Sequence, residues 1–289
     1  MKLLWKALLW AGGILALLIA SFFVYGMYLT KELPWQEPVF DSEVPPNPGS
    51  LGNRSVLLFY KTNGFEHESI GTGLLEITTQ GEGRGWNVIS SDNGAFFNDD
   101  YLSKFKVVVF LSTTGDVLTK EQEAAFERFI TNGGGYVGIH SATDTEYEWD
   151  WYNDFVGTHF RDHSLFPHTP KGTILTEQSN HYTTSHLPER WDKVEEWYNF
   201  KNSIRNEKGF RVLLSVDEST YDVGESDGMN GDHPISWISE NLNGRMFYTA
   251  LGHEPETFTE GNSMKHILRG IEWAGKFNEA EESNAEIID

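Results

Sequence analysis

Cysteine is missing altogether from the 289 residues. That excludes a disulfide framework, a thiol nucleophile, a thiolate metal site and lipid attachment through sulfur. Any metal centre has to be assembled from histidine, aspartate and glutamate. Basic residues are scarce as well: 22 Lys and Arg stand against 43 Asp and Glu, a net charge of −21. No Lys/Arg cluster offers the footprint that neutralises phosphates, so a nucleic-acid partner is excluded. Internal repeats are absent too.

Aromatic side chains are plentiful, with 10 Trp, 11 Tyr and 19 Phe. They exceed what a core needs, and surplus rings often line sugar or nucleoside sites. The chain also has one long apolar run, Ala7 to Leu29, of 23 residues. At 1.5 Å per residue this spans a hydrocarbon core of about 30 Å. A cleaved signal peptide has an apolar stretch of only about 7–15 residues and a small-x-small exit. Here Phe22, Phe23, Tyr25 and Tyr28 crowd that exit, so residues 1–29 read as an uncleaved membrane anchor. Lys2 and Lys6 precede the run, whereas Lys31 beyond it is offset by Glu32. The positive-inside rule then leaves the body outside the cytoplasm, in a periplasmic or extracellular position. Residues 30–53 hold five of the ten prolines and read as an extended linker. The folded domain runs over residues 54–277, and the acidic residues 278–289 form a frayed tail.

Strands and helices alternate through the first half of the body. SVLLFY (55–60) and VVVFLS (107–112) are apolar throughout, as strands buried on both faces must be. WNVIS (86–90) and YVGIH (136–140) complete a set of four. A helix starts at Ser69, and another follows the capping-box pattern Thr119 to Gln122. The glycines at 133–135 precede a strand, so they end a helix and do not cradle phosphate. In the second half, residues 172–177, 194–200, 211–216 and 235–238 read as strands. Asn243-Gly244 is a hairpin turn into residues 245–252, and a last helix covers residues 263–277. The fold class is α/β: a parallel sheet covered by helices on both sides, with a more antiparallel inserted region.

Ligands in such sheets bind beyond the carboxyl ends of the strands. His67 follows the first strand, His140 ends the fourth, and His253 ends the strand before the last helix. Acids accompany them: Asp144, Glu146 and Glu148 follow His140, and Glu196 lies with Tyr198 in an aromatic segment. His233 stands in an Asp-His-Pro sequence that holds its backbone extended. A histidine beside a carboxylate serves acid–base chemistry, and the same groups can hold a divalent cation. No cofactor is certain on these grounds; a divalent metal is the candidate. Surface or loop roles are expected for His159, His163, His168, His181, His186 and His266. The first three occur close together in THFRDHSLFPH, where a metal cluster is the alternative. Glu196 has its own plain alternative, an ion pair with Arg205 or Arg211.

Several stretches together resemble the ThuA-like family, named for trehalose utilisation. They are GFEHESI (64–70), GGGYVGIHSATDTEYEWDWY (133–152), LPERWDKVEEWYNF (187–200), VLLSVDESTY (212–221), GDHPISW (231–237), GRMFYTALGHEPETF (244–258) and GIEWA (270–274). The resemblance implies a three-layer, flavodoxin-like fold of the class I glutamine amidotransferase type. In those relatives a strand-to-helix elbow presents a cysteine, and His140 holds the corresponding place here. Glutamine hydrolysis by a thiol is therefore excluded. The family also implies a carbohydrate as small-molecule partner, a glycoside or 3-keto sugar of the trehalose type. His140, His67, His253, Glu146 and Glu196 are the expected catalytic residues. Asp144, Tyr198, His233 and Trp237 are expected to contact substrate. The family often shows a His-Pro pair where this chain reads FRDHSLFPHTP, so His163 and His168 compete for that role. A carbohydrate-binding protein without catalysis is the alternative function.

Overall fold

In the computed structural model, which describes residues 2–29, 31, 33 and 36–279, the N-terminal apolar stretch is one helix, α1 (Lys2–Leu29). Its Leu8–Tyr28 portion is long and apolar enough to cross a membrane and has none of its length buried in protein. It is a candidate membrane anchor or signal sequence. The last ten residues of the acidic tail lie outside the described residues.

The body opens with β1 (Ser55–Phe59), α2 (Ser69–Glu82), β2 (Asn87–Ser91), α3 (Asp99–Leu102), β3 (Val107–Leu111), α4 (Lys120–Thr131) and β4 (Gly135–Ile139). It continues through α5 (Asp150–Val156), β5 (Phe160–Asp162), β6 (Lys171–Thr176), β7 (Arg190–Val194) and β8 (Asn199–Phe200). It closes with β9 (Phe210–Asp217), β10 (His233–Ser239), β11 (Met246–Thr249) and α6 (Gly261–Ala274). Nine strands make one sheet in the order β2-β1-β3-β4-β11-β10-β9-β6-β7. From β2 to β11 the neighbours are parallel, and from β11 to β7 they are antiparallel. Every residue of β1, β3 and β4 is buried, as covering on both faces requires.

Side-chain alternation assigns the two faces. Phe110 and Tyr136 point to one side, where they pack on Phe126 of α4 and, for Tyr136, on Phe155 of α5. Gly135 faces the other side, against α6. A Cβ there would fall 2.3 Å from the Ala274 carbonyl oxygen, so only glycine lets the helix lie that close. The capping box of α4 forms between Thr119 and Gln122, and the chain turns at Gly133 into β4.

Two expectations need correction. Residues 194–200 are not one strand: β7 ends at Val194, and β8 joins β5 in a separate two-stranded ribbon. The intervening residues leave the sheet because the Glu195 carboxylate is drawn to the backbone N–H groups of Gly252 and His253, each at 3.1 Å. Nor do the described residues of the linker hang free. The Asp41 carboxylate accepts from Lys61 Nζ at 2.8 Å and from the Gly94 N–H at 2.9 Å. Gln122 Nε2 donates to the Asp41 carbonyl, Tyr101 donates to the Pro45 carbonyl, and Asn63 exchanges two hydrogen bonds with Val39. The segment is strapped across the loops that follow the parallel strands.

Candidate functional site

The five parallel strands β2, β1, β3, β4 and β11 end at one edge, and three histidines gather there. His140 is the first residue after β4 and adopts φ 52°, a left-handed conformation. That backbone costs about 1–2 kcal/mol for a residue with a Cβ, and the surroundings have to enforce it. They do so from several sides. Tyr248 donates to the His140 carbonyl at 2.8 Å, and His140 Nδ1–H donates to the Ala250 carbonyl at 2.8 Å. Ser141 and Ala142 continue into a buried 3₁₀ turn. Opposite them Gly252, at φ 141°, leaves no room for a larger residue: a Cβ there would lie 3.1 Å from that of His140.

With Nδ1 committed to a carbonyl, the other nitrogen of His140 faces inward. His140 Nε2 lies 3.1 Å from His67 Nε2 and 3.3 Å from Glu196 Oε2. His253 Nδ1 stands 2.9 Å from the same oxygen but is not aligned as a hydrogen bond. Four donors, from His67, His140, Glu196 and His253, thus lie within 4.8 Å of one another. The other carboxylate oxygen, Glu196 Oε1, is approached by His163 Nε2 at 3.3 Å and by His168 Nε2 in close contact. Tyr198 covers one side, its ring 4.3 Å from that of His140 and its hydroxyl 3.5 Å from His67 Nε2. The centre is closed at His140 and His67, 0% and 5% exposed, and opens toward His168, whose side chain is 48% exposed.

Burial and the neighbouring His140 drive His67 well below the ordinary imidazole value. For His253, burial acts downward but Glu196 outweighs it, and the pKa rises. Burial likewise opposes ionisation of Glu196, yet contacts with His140 and His168 hold its carboxyl far below the usual carboxylate range. The cluster is therefore a buried carboxylate ringed by imidazoles whose nitrogens face one another. Imidazole lone pairs meeting at 3.1 Å repel unless a proton or a cation lies between them.

The structure thus brings together His67, His140, His253, Glu196 and Tyr198. Glu196 does not pair with Arg205, which binds Glu177 and Asp232, nor with Arg211, which faces Glu240. Other expected residues are placed differently. Glu146 is turned to a loop: its Oε1 accepts from the N–H groups of Val117 and Leu118 at 2.9 and 2.8 Å, and burial pushes it up to about 8. Trp237 lies in the core, fully buried, packed at a tilt against Tyr248 and donating to the Val156 carbonyl. It has no surface to offer a substrate. His233 is buried and acts through its neighbours, donating Nε2–H to the Tyr198 carbonyl at 2.8 Å while Nδ1 faces Glu218 at 3.0 Å. It positions Tyr198. Asp144 is partly exposed and accepts from the Tyr147 hydroxyl at 2.6 Å.

His159 and His266, expected in loops or on the surface, are buried. His159 bonds the Thr143 carbonyl, and His266 lies between the Thr183 carbonyl and Ser236 Oγ. The contribution of His163 and His168 to the cluster is the largest gain over sequence reasoning; their five-residue spacing astride Phe166 was the available signal. Glu195, beside Glu196 in the same aromatic segment, finds other partners. It is fully buried and accepts from the N–H groups of Gly252, His253 and Glu254 and from Thr257 Oγ1. It thereby holds the loop that carries His253.

Fold and site together define a doubly wound α/β protein with a histidine–glutamate centre at the carboxyl edge of its sheet. The family model described as ThuA, trehalose utilisation, matches residues 55–274, and the chain belongs to that family. A ThuA-like protein from Bacteroides uniformis ATCC 8492 is similar at 25% identity and a TM-score of 0.67, over 82% of this chain and 95% of that one. A ThuA-like protein from Parabacteroides merdae ATCC 43184 shares the fold at 19% identity and a TM-score of 0.59, over 78% and 90% of the two chains. A cytoplasmic protein of Salmonella typhimurium shares the fold at 9% identity and a TM-score of 0.50, over 76% and 98%. Among curated proteins no match is found.

Proposed function

We propose that this protein is a carbohydrate-active enzyme of the trehalose-utilisation type. Its active centre is the cluster of His67, His140, His253 and Glu196 charged with a divalent cation, and its substrate is a glycoside or the 3-keto derivative of one. The observation that supports this reading is the meeting of His140 Nε2 and His67 Nε2 at 3.1 Å beside a buried carboxylate. Donors bound to a single cation at about 2.0–2.1 Å stand roughly 2.9–3.4 Å apart, the spacing of the His140–His67, His140–Glu196 and His253–Glu196 pairs. Such a cation supplies Lewis acidity to a sugar carbonyl or hydroxyl oxygen. His140 is held for this role by the Ala250 carbonyl, the usual outer-shell partner of a ligating imidazole.

The chain's own groups supply the rest. Asp144, four residues beyond His140 and partly exposed, accepts a proton from the carbon beside the sugar carbonyl or from a hydroxyl. Phe65, 40% exposed and edge-on to His67, and Phe166, 84% exposed between His163 and His168, offer ring faces to sugar C–H surfaces. Helix α1 anchors the body outside the cytoplasm, in keeping with Lys2 and Lys6 ahead of its apolar stretch. Protease added to cells whose outer envelope has been opened, with the cytoplasmic membrane intact, should then degrade the body.

The catalytic reading is tested with the full chain in detergent. Trehalose, sucrose and their 3-keto derivatives are followed by NMR in D₂O with Zn²⁺, Mn²⁺ or Co²⁺ and with chelator. Metal-dependent deuterium exchange at the carbon next to the carbonyl, or turnover, is expected. Saturable sugar binding with neither under any condition would establish a binding protein instead.

A further inference from the structure

The two oxygens of Glu196 face different sets of imidazoles. Oε2 is shared by His140 and His253, with His67 completing that group. Oε1 is shared by His163 and His168. Each set brings its donor atoms within 4.8 Å of one another, and only Glu196 belongs to both. We propose that the centre is binuclear, with two divalent transition-metal cations bridged by the Glu196 carboxylate. One is held by His67, His140 and His253, the other by His163 and His168. This rests on the preceding reading that the buried set holds a cation at all.

Two features of the second set support it. His163 Nδ1–H donates to the Ser164 carbonyl at 2.9 Å, which leaves Nε2 as the lone pair turned to Glu196. That repeats the arrangement of His140 with Ala250, a backbone carbonyl fixing the tautomer that a ligand needs. Next, the loop between the two histidines is pinned. Glu225 accepts from Ser164 Oγ at 3.2 Å and also from the N–H of Leu165. A carboxylate that bridges through both oxygens would set the cations about 3.5–4 Å apart, the spacing of two-metal hydrolytic centres.

The two positions differ in a way the protein can use. The inner cation has four protein donors in a buried setting. The outer one has three, with His163 and His168 side chains 22% and 48% exposed, so coordination positions remain open toward solvent. An imidazole-rich donor set favours Zn²⁺, Co²⁺, Fe²⁺ or Ni²⁺ over Mn²⁺, Mg²⁺ or Ca²⁺. The inner cation is the resident one. The outer is exchangeable and is the one a substrate's carbonyl and adjacent hydroxyl would reach.

The test is metal stoichiometry on the full chain in detergent. Stripped protein is titrated with Co²⁺, dialysed, and read by elemental analysis and electron paramagnetic resonance. Two equivalents are expected, the first at least tenfold tighter, with a spin-coupled signal from the pair. The His163→Ala/His168→Ala double variant should keep one equivalent and lose the coupling. His168→Gln, at a half-exposed position, gives the same comparison should the double variant fold poorly. One equivalent in the wild type overturns the second site and leaves the first standing. Two equivalents retained by both variants place the second cation elsewhere and also overturn it. No bound metal in any form removes both the binuclear centre and the cation of the proposed function.

Discussion

Glu195 and Glu196 are consecutive in the chain, yet their carboxylates serve different masters. Glu195 is closed over the backbone of residues 252–254, while Glu196 is turned to the imidazoles. Removing charge from each therefore has different consequences. Glu195→Gln leaves buried N–H groups with a weaker acceptor and should cost about 2–4 kcal/mol of stability. Glu196→Gln removes the charge that His140 and His168 stabilise, so it should lower the stability of the metal-free protein as well, and it should weaken metal binding by about 100-fold or more. Thermal unfolding with metal analysis separates the two. Equal destabilisation with metal retained in Glu196→Gln would contradict the division of labour.

Gly252 is the spacer that admits the elbow. An alanine there would place Cβ 3.0 Å from Ile139 Cγ2 and 3.1 Å from His140 Cβ, at a φ of 141° that side chains avoid. Gly252→Ala should lower stability by about 2–3 kcal/mol and displace both His140 and the amides that Glu195 holds. Reduced metal occupancy alongside a lower melting temperature is the expected result. A variant with wild-type melting and full occupancy would show that the close approach does not matter.

Acid should destabilise the protein through His266, away from the centre. Burial pushes its pKa down from 6.5 to about 3, despite the Thr183 carbonyl that favours the charged form. The unfolded chain binds this proton more readily than the folded one. Stability is thus complete above about pH 6.5 and falls as pH drops toward 3. At pH 5 the loss from this one group is about 2 kcal/mol. His159, pushed down to about 4 by burial, adds to the slope with the same sign. Denaturant unfolding between pH 7 and pH 5 should show a shallower slope in His266→Gln than in wild type.

The strap makes a prediction that a loose tether would not. Asp41 bonds Lys61 and the Gly94 N–H, and the side chains of the pair are 29% and 11% exposed. Asp41→Ala should cost about 1–2 kcal/mol and speed proteolysis within residues 36–49. Unchanged melting and cleavage would return the segment to the status of a flexible linker.

Much of the fold was legible because it rests on local pattern. Uniformly apolar stretches at 55–60 and 107–112 can only be strands covered on both faces, and the Thr119–Gln122 pair announces its helix from within one turn. The rule that ligands gather at the carboxyl ends of parallel strands then placed His67, His140 and His253 together. Residues 194–200 misled because an aromatic, apolar run looks like a strand whether or not its carboxylate is claimed elsewhere. Trp237 misled in the same way, since a ring that fills the core and one that meets a sugar have the same composition.

By itself the sequence determined that no thiol chemistry is available, that the body is a layered α/β domain, and which strand ends carry imidazole. Those properties depend on residue type and short-range periodicity, which a linear string records in full. The tertiary structure alone decided that Glu196 and not Glu146 meets the histidines, that His163 and His168 join them, and that Glu195 holds a loop. Side-chain direction in irregular segments is set by partners scores of residues away. Glu196 and His140 find each other only once β4 and the chain beyond β7 have been folded to the same edge.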